Sequence, residues 1–239
     1  RGSIFDRNHN LLAYPIEKCR FWVNSNKNID KQAVIDLFSK YLDDSLIKKD
    51  FFNTKSDRLI IIDDLIVSEN QYLINESKSI EYLYHDYYSH RLYPYNELAA
   101  QVIGFTNVDN QGRYGIEGYF DHILDGSKSI IEYNKNSRGR TVSSKNSFLP
   151  NDGSNIFLTL DINIQDILQT ELKKSFLENN ARSANGIIIN PNNGEIIAMA
   201  SIPDFNLNEY KKLPLESAND YYTNRVISSP YEPGSTFKV

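Results

Sequence analysis

Cysteine is all but missing: Cys19 is the only one in 239 residues. That excludes an intramolecular disulfide framework and a cysteine-based zinc site, while leaving the redox compartment open. No apolar run approaches the roughly 18–20 residues that a spanning helix needs, and the longest aliphatic stretch is the short Leu59–Ile62. Basic excess is absent as well. The 26 Lys and Arg against 31 Asp and Glu leave a net charge of −5, with no dense Lys/Arg cluster, so no nucleic-acid partner is expected. His9, His85, His90 and His122 have no metal-ligand spacing, so no metal is expected either. Gly112, Gly115 and Gly118 do not make a phosphate loop, because no strand leads directly into them and no Lys-Ser/Thr follows; turn chemistry explains them. With only 11 Gly and 8 Pro, and with 40% hydrophobic residues, the composition lies outside the disordered and collagen-like classes. At roughly 100–200 residues per domain, the length allows one large domain or two modest ones.

The hydrophobic pattern predicts a mixed α+β chain. Ser3–Phe5 and Leu11–Ala13 flank a polar turn and read as a hairpin. Arg20–Val23 and Leu59–Leu65 read as strands, and the Tyr-rich stretch from Tyr82 to Tyr93 as another, its tyrosines serving packing. Ala33, Val34, Leu37, Phe38 and Tyr41 recur at helical spacing behind Asp30 as N-cap, which predicts a helix over 29–42. Ser68-Glu69-Asn70-Gln71 has the form of a capping box and predicts a helix from there to Asn75. Short helices are expected over Glu97–Ile103 and Gly115–Leu124, and strands near Ile130-Ile131 and Thr141-Val142. The polar stretch Ser143–Asn155 marks a domain boundary, giving units 1–150 and 151–239. Asp161 caps a long helix to about Asn179, with Ile164, Ile167, Leu168, Leu172 and Phe176 on its apolar face. Gly186–Asn190 and Glu195–Ser201, joined by Pro191-Asn192-Asn193-Gly194, read as a second hairpin.

Two Ser-x-x-Lys matches occur, Ser45 to Lys48 and Ser235 to Lys238. On a helix this spacing stacks both side chains on one face. A serine hydroxyl becomes a useful nucleophile when a base takes its proton, and a lysine serves as that base once burial or neighbouring cations lower its pKa. About one chance match is expected in a chain of this length, so context decides between them. Ser45 lies among Asp43, Asp44, Lys48, Lys49 and Asp50 and reads as surface, whereas Ser235 follows a Pro-Gly breaker at the start of an expected helix.

The stretch Tyr231-Glu232-Pro233-Gly234-Ser235-Thr236-Phe237-Lys238 resembles the active-site motif of the class B penicillin-binding proteins, the peptidoglycan D,D-transpeptidases. Other stretches resemble that family in the same order along nearly the whole chain. They are Arg1-Gly2-Ser3-Ile4-Phe5-Asp6-Arg7-Asn8 through Ala13, Arg91-Leu92-Tyr93-Pro94, Val102–Asp109, Gly115-Ile116-Glu117 with Phe120-Asp121, Leu124-Asp125-Gly126, Leu158–Asp161 with Gln165, and Asn190–Ser201. The Gly104–Asp109 run is nearest the division-specific, FtsI-like branch, with the elongation-specific branch as the alternative. His9 stands where the family usually has Gly, at a turn.

The resemblance implies a pedestal domain over 1–150, of the family's dimerisation type, followed by the start of an α/β transpeptidase domain over 151–239. It implies Ser235 as nucleophile and Lys238 as general base, no cofactor, and structural or inter-domain contacts for Arg7, Arg91 and Glu117. Expected partners are peptidoglycan stem peptides and lipid-linked precursor strands, β-lactams, and divisome membrane proteins including a glycosyltransferase. The chain opens on Arg1 and ends one residue after Lys238, before the Ser-x-Asn and Lys-Thr/Ser-Gly motifs that complete the family's site. A longer polypeptide is therefore expected, anchored in the inner membrane by a single span ahead of Arg1 with its domains on the extracytoplasmic side, and the piece in hand is expected to be inactive alone. Two other classes share features of the sequence: a serine β-lactamase or penicillin-sensing receptor, and a non-catalytic interaction module.

Overall fold

The computed structural model describes residues 1–47, 56–126, 133–135, 141–143, 152–214, 216 and 218–237. It divides into two compact units, one made of Arg1–Pro15 with Arg91–Val239 and the other of Ile16–His90. The predicted boundary near residue 150, the expected strand at Ile130-Ile131, and Lys48 and Lys238 lie outside the described residues.

In the Ile16–His90 unit, the later part of β2 (Leu11–Val23) pairs antiparallel with β3 (Leu59–Ile66) and also pairs with β4 (Leu83–Leu92). The register sets Cys19 opposite Leu65 and Phe21 opposite Ile62. Alternate β2 residues Cys19, Phe21 and Val23 therefore face one side, where they meet Val34, Leu37 and Phe38 of α1 (Lys31–Ser39) and Leu73 and Ile74 of α2 (Gln71–Ser77) in one apolar cluster. Burial, with Glu17 and Asp63 adding to it, pushes the Cys19 thiol up to about 11, so it stays protonated and unreactive at neutral pH. The predicted cap of α1 is in place, the Asp30 carboxylate accepting from the Ala33 N–H at 3.0 Å. The predicted capping box is not. Glu69 and Asn70 donate their N–H groups back to the carbonyls of Ile66 and Val67, so Val67–Glu69 form a turn, and α2 starts only at Gln71, the side chain of its N-cap Asn70 donating back to the Ile66 carbonyl at 2.9 Å in place of capping the helix.

In the other unit, β1 (Ile4–Phe5) pairs with the start of β2 as the expected hairpin, Ile4 opposite Ala13. His9 sits in its turn at φ 65°, the left-handed region that favours glycine. On the other side of β1, β7 (Ile156–Phe157) runs parallel, Ile4 opposite Ile156. Three short helices follow β4: α3 (Ala100–Ile103), α4 (Gly115–Tyr119) and α5 (Asp121–Leu124). Gly104, at φ 73°, lies so near the Tyr114 carbonyl that a Cβ there would stand 1.8 Å from its oxygen. Two short strands, β5 (Tyr133–Lys135) and β6 (Thr141–Ser143), pair with each other.

Helix α6 (Ile162–Glu178) packs on the hairpin of β8 (Ala184–Ile189) and β9 (Ile196–Ile202). Asp161 caps it as predicted, accepting from the Asn163 and Ile164 N–H groups. The predicted face needs correction. Ile167 is 65% exposed, and the residues most deeply buried are Ile162, Gln165 and Gln169; Leu168 and Leu172 are half-buried and pack over Gly186. Amides can take the inner stripe because each of their polar atoms finds a hydrogen-bond partner there. After β9 come a 3₁₀ turn (Leu207–Lys212), α7 (Ala218–Tyr222) and α8 (Arg225–Ser228).

Candidate active site

Ser235 stands on a 3₁₀ turn, Gly234–Phe237, and is exposed. Its predicted partner Lys238 lies outside the described residues. The rival Ser45 is also exposed on a 3₁₀ turn, Asp44–Leu46, its backbone N–H donating to Asp43 Oδ1 at 2.8 Å. The residues up to Ser228, ahead of the Ser235 turn, are anchored. The Asn224 side chain accepts from the Val226 N–H to cap α8, and its Nδ2 donates to Met199 Sδ at 3.1 Å. At the end of α8, Ser228 Oγ donates to the Asn224 carbonyl at 2.7 Å.

Arg91 and Glu117 meet in a buried ion cluster. Glu117 is 0% exposed; its Oε1 accepts from Arg91 Nε at 2.6 Å and its Oε2 from Arg1 Nη2 at 2.7 Å. Arg1 Nη1 also reaches Asp121 at 2.7 Å, and Arg91 Nη1 reaches the Gly2 carbonyl at 2.6 Å. One carboxylate between two guanidiniums, all desolvated, holds backbone segments in place and has no reacting atom to serve. Arg7, by contrast, makes a half-exposed pair with Glu195 at 3.0 Å.

Asp6 is fully buried in the β1–β2 turn. It accepts from the backbone N–H groups of Asn8 and Asn10, from Asn10 Nδ2, and from the Ile162 N–H at the start of α6. Burial pushes the Asp6 carboxyl up, but the donors of Asn10, Ile162 and Asn8 together outweigh it and hold the group below the ordinary carboxylate value. The first motif is thereby fastened to the opening of α6, and Arg7 N–H adds a bond to the Leu160 carbonyl at 2.9 Å.

Sequence reasoning missed three buried glutamines. Gln165 brackets Met199, donating to its carbonyl and accepting from its N–H, each at 2.9 Å. Gln169 accepts from the Ala99 N–H at 3.2 Å and donates to the Glu97 carbonyl and to Asp204 Oδ2. Gln101 on α3 donates to three carbonyl oxygens of the segment after β8. A glutamine at an inner position carries no periodic signal, so apolar spacing could not find them; only the resemblance had touched Gln165.

Beside Gln169 lies a polar cleft of about 330 Å³, lined by Tyr95, Glu97, Asp166, Thr170, Lys173 and Asn206 among others. Lys173 bridges Glu97 at 2.8 Å and Asp204 at 2.7 Å. Burial alone would lower the Lys173 pKa, but its bonds to these carboxylates leave it raised, so it is a fixed cation unsuited to taking a proton. Ser235 is not among the lining residues. Among the described residues, no three or more His, Cys, Asp or Glu side chains gather as a metal site, and no helix is long and apolar enough to cross a membrane.

Comparison with known proteins gives this geometry its setting. Residues 1–158 match the penicillin-binding protein dimerisation domain, and residues 185–239 match the penicillin-binding protein transpeptidase domain. The chain is 36% identical over 150 residues to the peptidoglycan D,D-transpeptidase FtsI of Escherichia coli K12, covering 63% of this chain and 25% of that protein. It is 34% identical over 151 residues to the stage V sporulation protein D of Bacillus subtilis, covering 62% and 23%. With FtsI of Buchnera aphidicola (Schizaphis graminum) the identity is 29% over 228 residues, 95% of this chain and 34% of that one. The chain thus spans about a quarter to a third of the length of these relatives. Its fold is shared with penicillin-binding protein 2X of Streptococcus thermophilus, at a TM-score of 0.63 and 20% identity over 87% of this chain and 35% of that one. It is shared too with PBP2 of Helicobacter pylori in complex with MreC, at a TM-score of 0.57 and 22% identity over 87% and 42%. A dimerisation domain matched from the first residue, running into a transpeptidase domain that holds Ser235, places this chain in the class B penicillin-binding proteins, with the FtsI type among its relatives.

Proposed function

We propose that this chain is the pedestal and the opening of the catalytic domain of a peptidoglycan D,D-transpeptidase that acts in septal wall synthesis. The observation that carries the reading is Tyr231–Lys238, an active-site motif lying inside the stretch matched by the transpeptidase domain. In this reading Lys238 takes the Ser235 Oγ proton as Oγ attacks the penultimate D-Ala carbonyl of a donor stem peptide. The C–N bond to the terminal D-Ala breaks, the leaving amine receives the proton, and an acyl-Ser235 ester remains. An amine of a neighbouring stem peptide then attacks that ester, its nitrogen forming the cross-link as the C–Oγ bond breaks and one of its own protons passing to Oγ. A β-lactam acylates the same oxygen by opening its ring amide. The septal assignment rests on the FtsI relatives, and the H. pylori complex with MreC supports protein partners. For this protein those partners are divisome membrane proteins, a glycosyltransferase included, met on the extracytoplasmic face of the inner membrane.

Labelling with a fluorescent penicillin tests the chemistry. The full-length protein is expected to take one adduct, lost in Ser235→Ala and kept in Ser45→Ala, with mass spectrometry placing it on Ser235. Residues 1–239 alone are expected to stay unlabelled, because a turn followed by so little chain is too short to hold helical geometry in water. An adduct on Ser45, or labelling that survives Ser235→Ala, overturns the reading. Depletion giving filaments supports the septal role, and depletion giving rounded cells overturns it.

A further inference from the structure

Gln101 is buried, 7% exposed, on α3. Its Nε2 lies 3.0 Å from each of three carbonyl oxygens, those of Ser201, Pro203 and Tyr221. An amide NH₂ has two hydrogens, so two of the three acceptors share one. The Ser201 carbonyl lies in β9 and that of Pro203 just beyond it. The Tyr221 carbonyl lies in the last turn of α7, where carbonyls have no intrahelical donor. The neighbouring Tyr222 ring packs against Phe105 and Tyr114, each with centroids 4.9 Å apart. One pedestal side chain thus joins the end of β9 to α7.

The first part of the path from α7 to Ser235 is anchored. After α7 comes Asn224, which caps α8 and is tied to Met199, itself bracketed by Gln165. From Ser228, the last residue of α8, the chain reaches Ser235 across a segment holding Pro230 and Pro233, whose φ angles are fixed by their rings. A shift of α7 therefore moves the anchored residues from which the Ser235 segment departs.

Resting on the reading of Ser235 as the nucleophile, we propose that Gln101 is a positioning residue for acylation: by gripping the Tyr221 carbonyl against β9, it sets where Ser235 stands relative to the scissile carbonyl. Displacing a reacting group by about 1 Å can cost on the order of 10²-fold in rate. The effect should thus fall on the acylation step, with penicillin binding left nearly unchanged.

The test uses the full-length protein, with stopped-flow acylation by a fluorescent penicillin resolving the rate constant k2 from the dissociation constant Kd. Gln101→Met keeps the volume and removes the donors; k2 should fall by about 10–100-fold with Kd nearly unchanged. Gln101→Glu adds a readout that loss of packing would not move. Its carboxylate would face three carbonyl oxygens, and burial raises the pKa of such a group; once protonated it donates one hydrogen again. The ratio of its k2 to that of wild type should rise as the pH is lowered, while the Gln101→Met ratio stays flat. If Gln101→Met does not fold, the Gln101→Glu ratio carries the test by itself. A k2 for Gln101→Met within about twofold of wild type overturns the proposal, as does a rise in Kd at constant k2, or a flat ratio for Gln101→Glu. Ser235→Ala separates the two readings. Labelling that survives it removes the nucleophile and with it this role, whereas labelling lost in Ser235→Ala beside unchanged k2 in the Gln101 variants removes the role of Gln101 alone.

Discussion

Residues Ile16–His90 bury an unbroken apolar cluster and leave ion pairs such as Lys40–Glu76 and Arg58–Asp86 at the surface, whereas Arg1–Pro15 with Arg91–Val239 bury charges and amides beside their apolar core. Among the described residues, Ser77 is the only buried polar one in the first unit, while Asp6, Arg91, Gln101, Glu117, Gln165 and Gln169 belong to the second. The difference lies in what each can tolerate. An apolar cluster is roughly proportional to area and gives way by degrees. A buried carboxylate between two guanidiniums fails abruptly, because removing one partner leaves charge with neither water nor counter-ion.

The sharpest way to break the comparison is Glu117→Ala, which takes the counter-ion from buried Arg91 and leaves Arg1 with Asp121 alone. A loss of about 3–5 kcal/mol is expected in urea unfolding, with amide exchange speeding up first in Arg91–Leu124. Exchange that speeds up equally in β3 would show that the two units do not open separately. Next in size is Leu73→Ala, which removes a 1%-exposed side chain from the apolar cluster and should cost about 2–5 kcal/mol. Its exchange signature should be the reverse, centred on α1, α2 and β3.

The smallest effect sharpens the contrast through pH. The folded Asp6 carboxyl titrates below its ordinary value, so its contribution is complete above the unfolded pKa of about 3.9 and is lost as the pH falls through the lowered folded value. In Asp6→Asn two of the four donors meet an NH₂ in place of an oxygen, and about 1–3 kcal/mol should go near neutrality. The gap from wild type should then close on acidification, as melting temperatures across that range would reveal. A gap of constant size would mean that the charge of Asp6 contributes nothing.

The apolar half of this contrast was legible beforehand and the polar half largely was not. The helix behind Asp30, the strand from Leu59, the cap at Asp161 and the hairpin over Gly186–Ser201 all follow from spacing, caps and turn residues, which act within a few residues of one another. The inner face of α6 escaped because Gln165 and Gln169 look solvated until their partners Met199, Ala99 and Glu97 arrive from elsewhere in the chain. The false capping box at Ser68 failed in the opposite direction, a local signal overruled by the turn that ends β3. For the site, the motif around Ser235 was plain in the sequence, while the grip of Gln101 on α7 had no local mark at all.

The parallel pairing of β1 with β7 also sets a schedule. Ile4 is fully buried, yet its partner Ile156 lies far along the chain. The Gly2 N–H likewise waits for the Leu124 carbonyl, and Gly153 packs so closely on that carbonyl that a Cβ would stand 1.7 Å from the oxygen. On a ribosome adding about 5–20 residues per second, the first strand would be exposed for roughly 8–30 s before its mate is made. Throughout that interval its free edge invites the wrong neighbour, so a strand made before its mate is among the last to be secured.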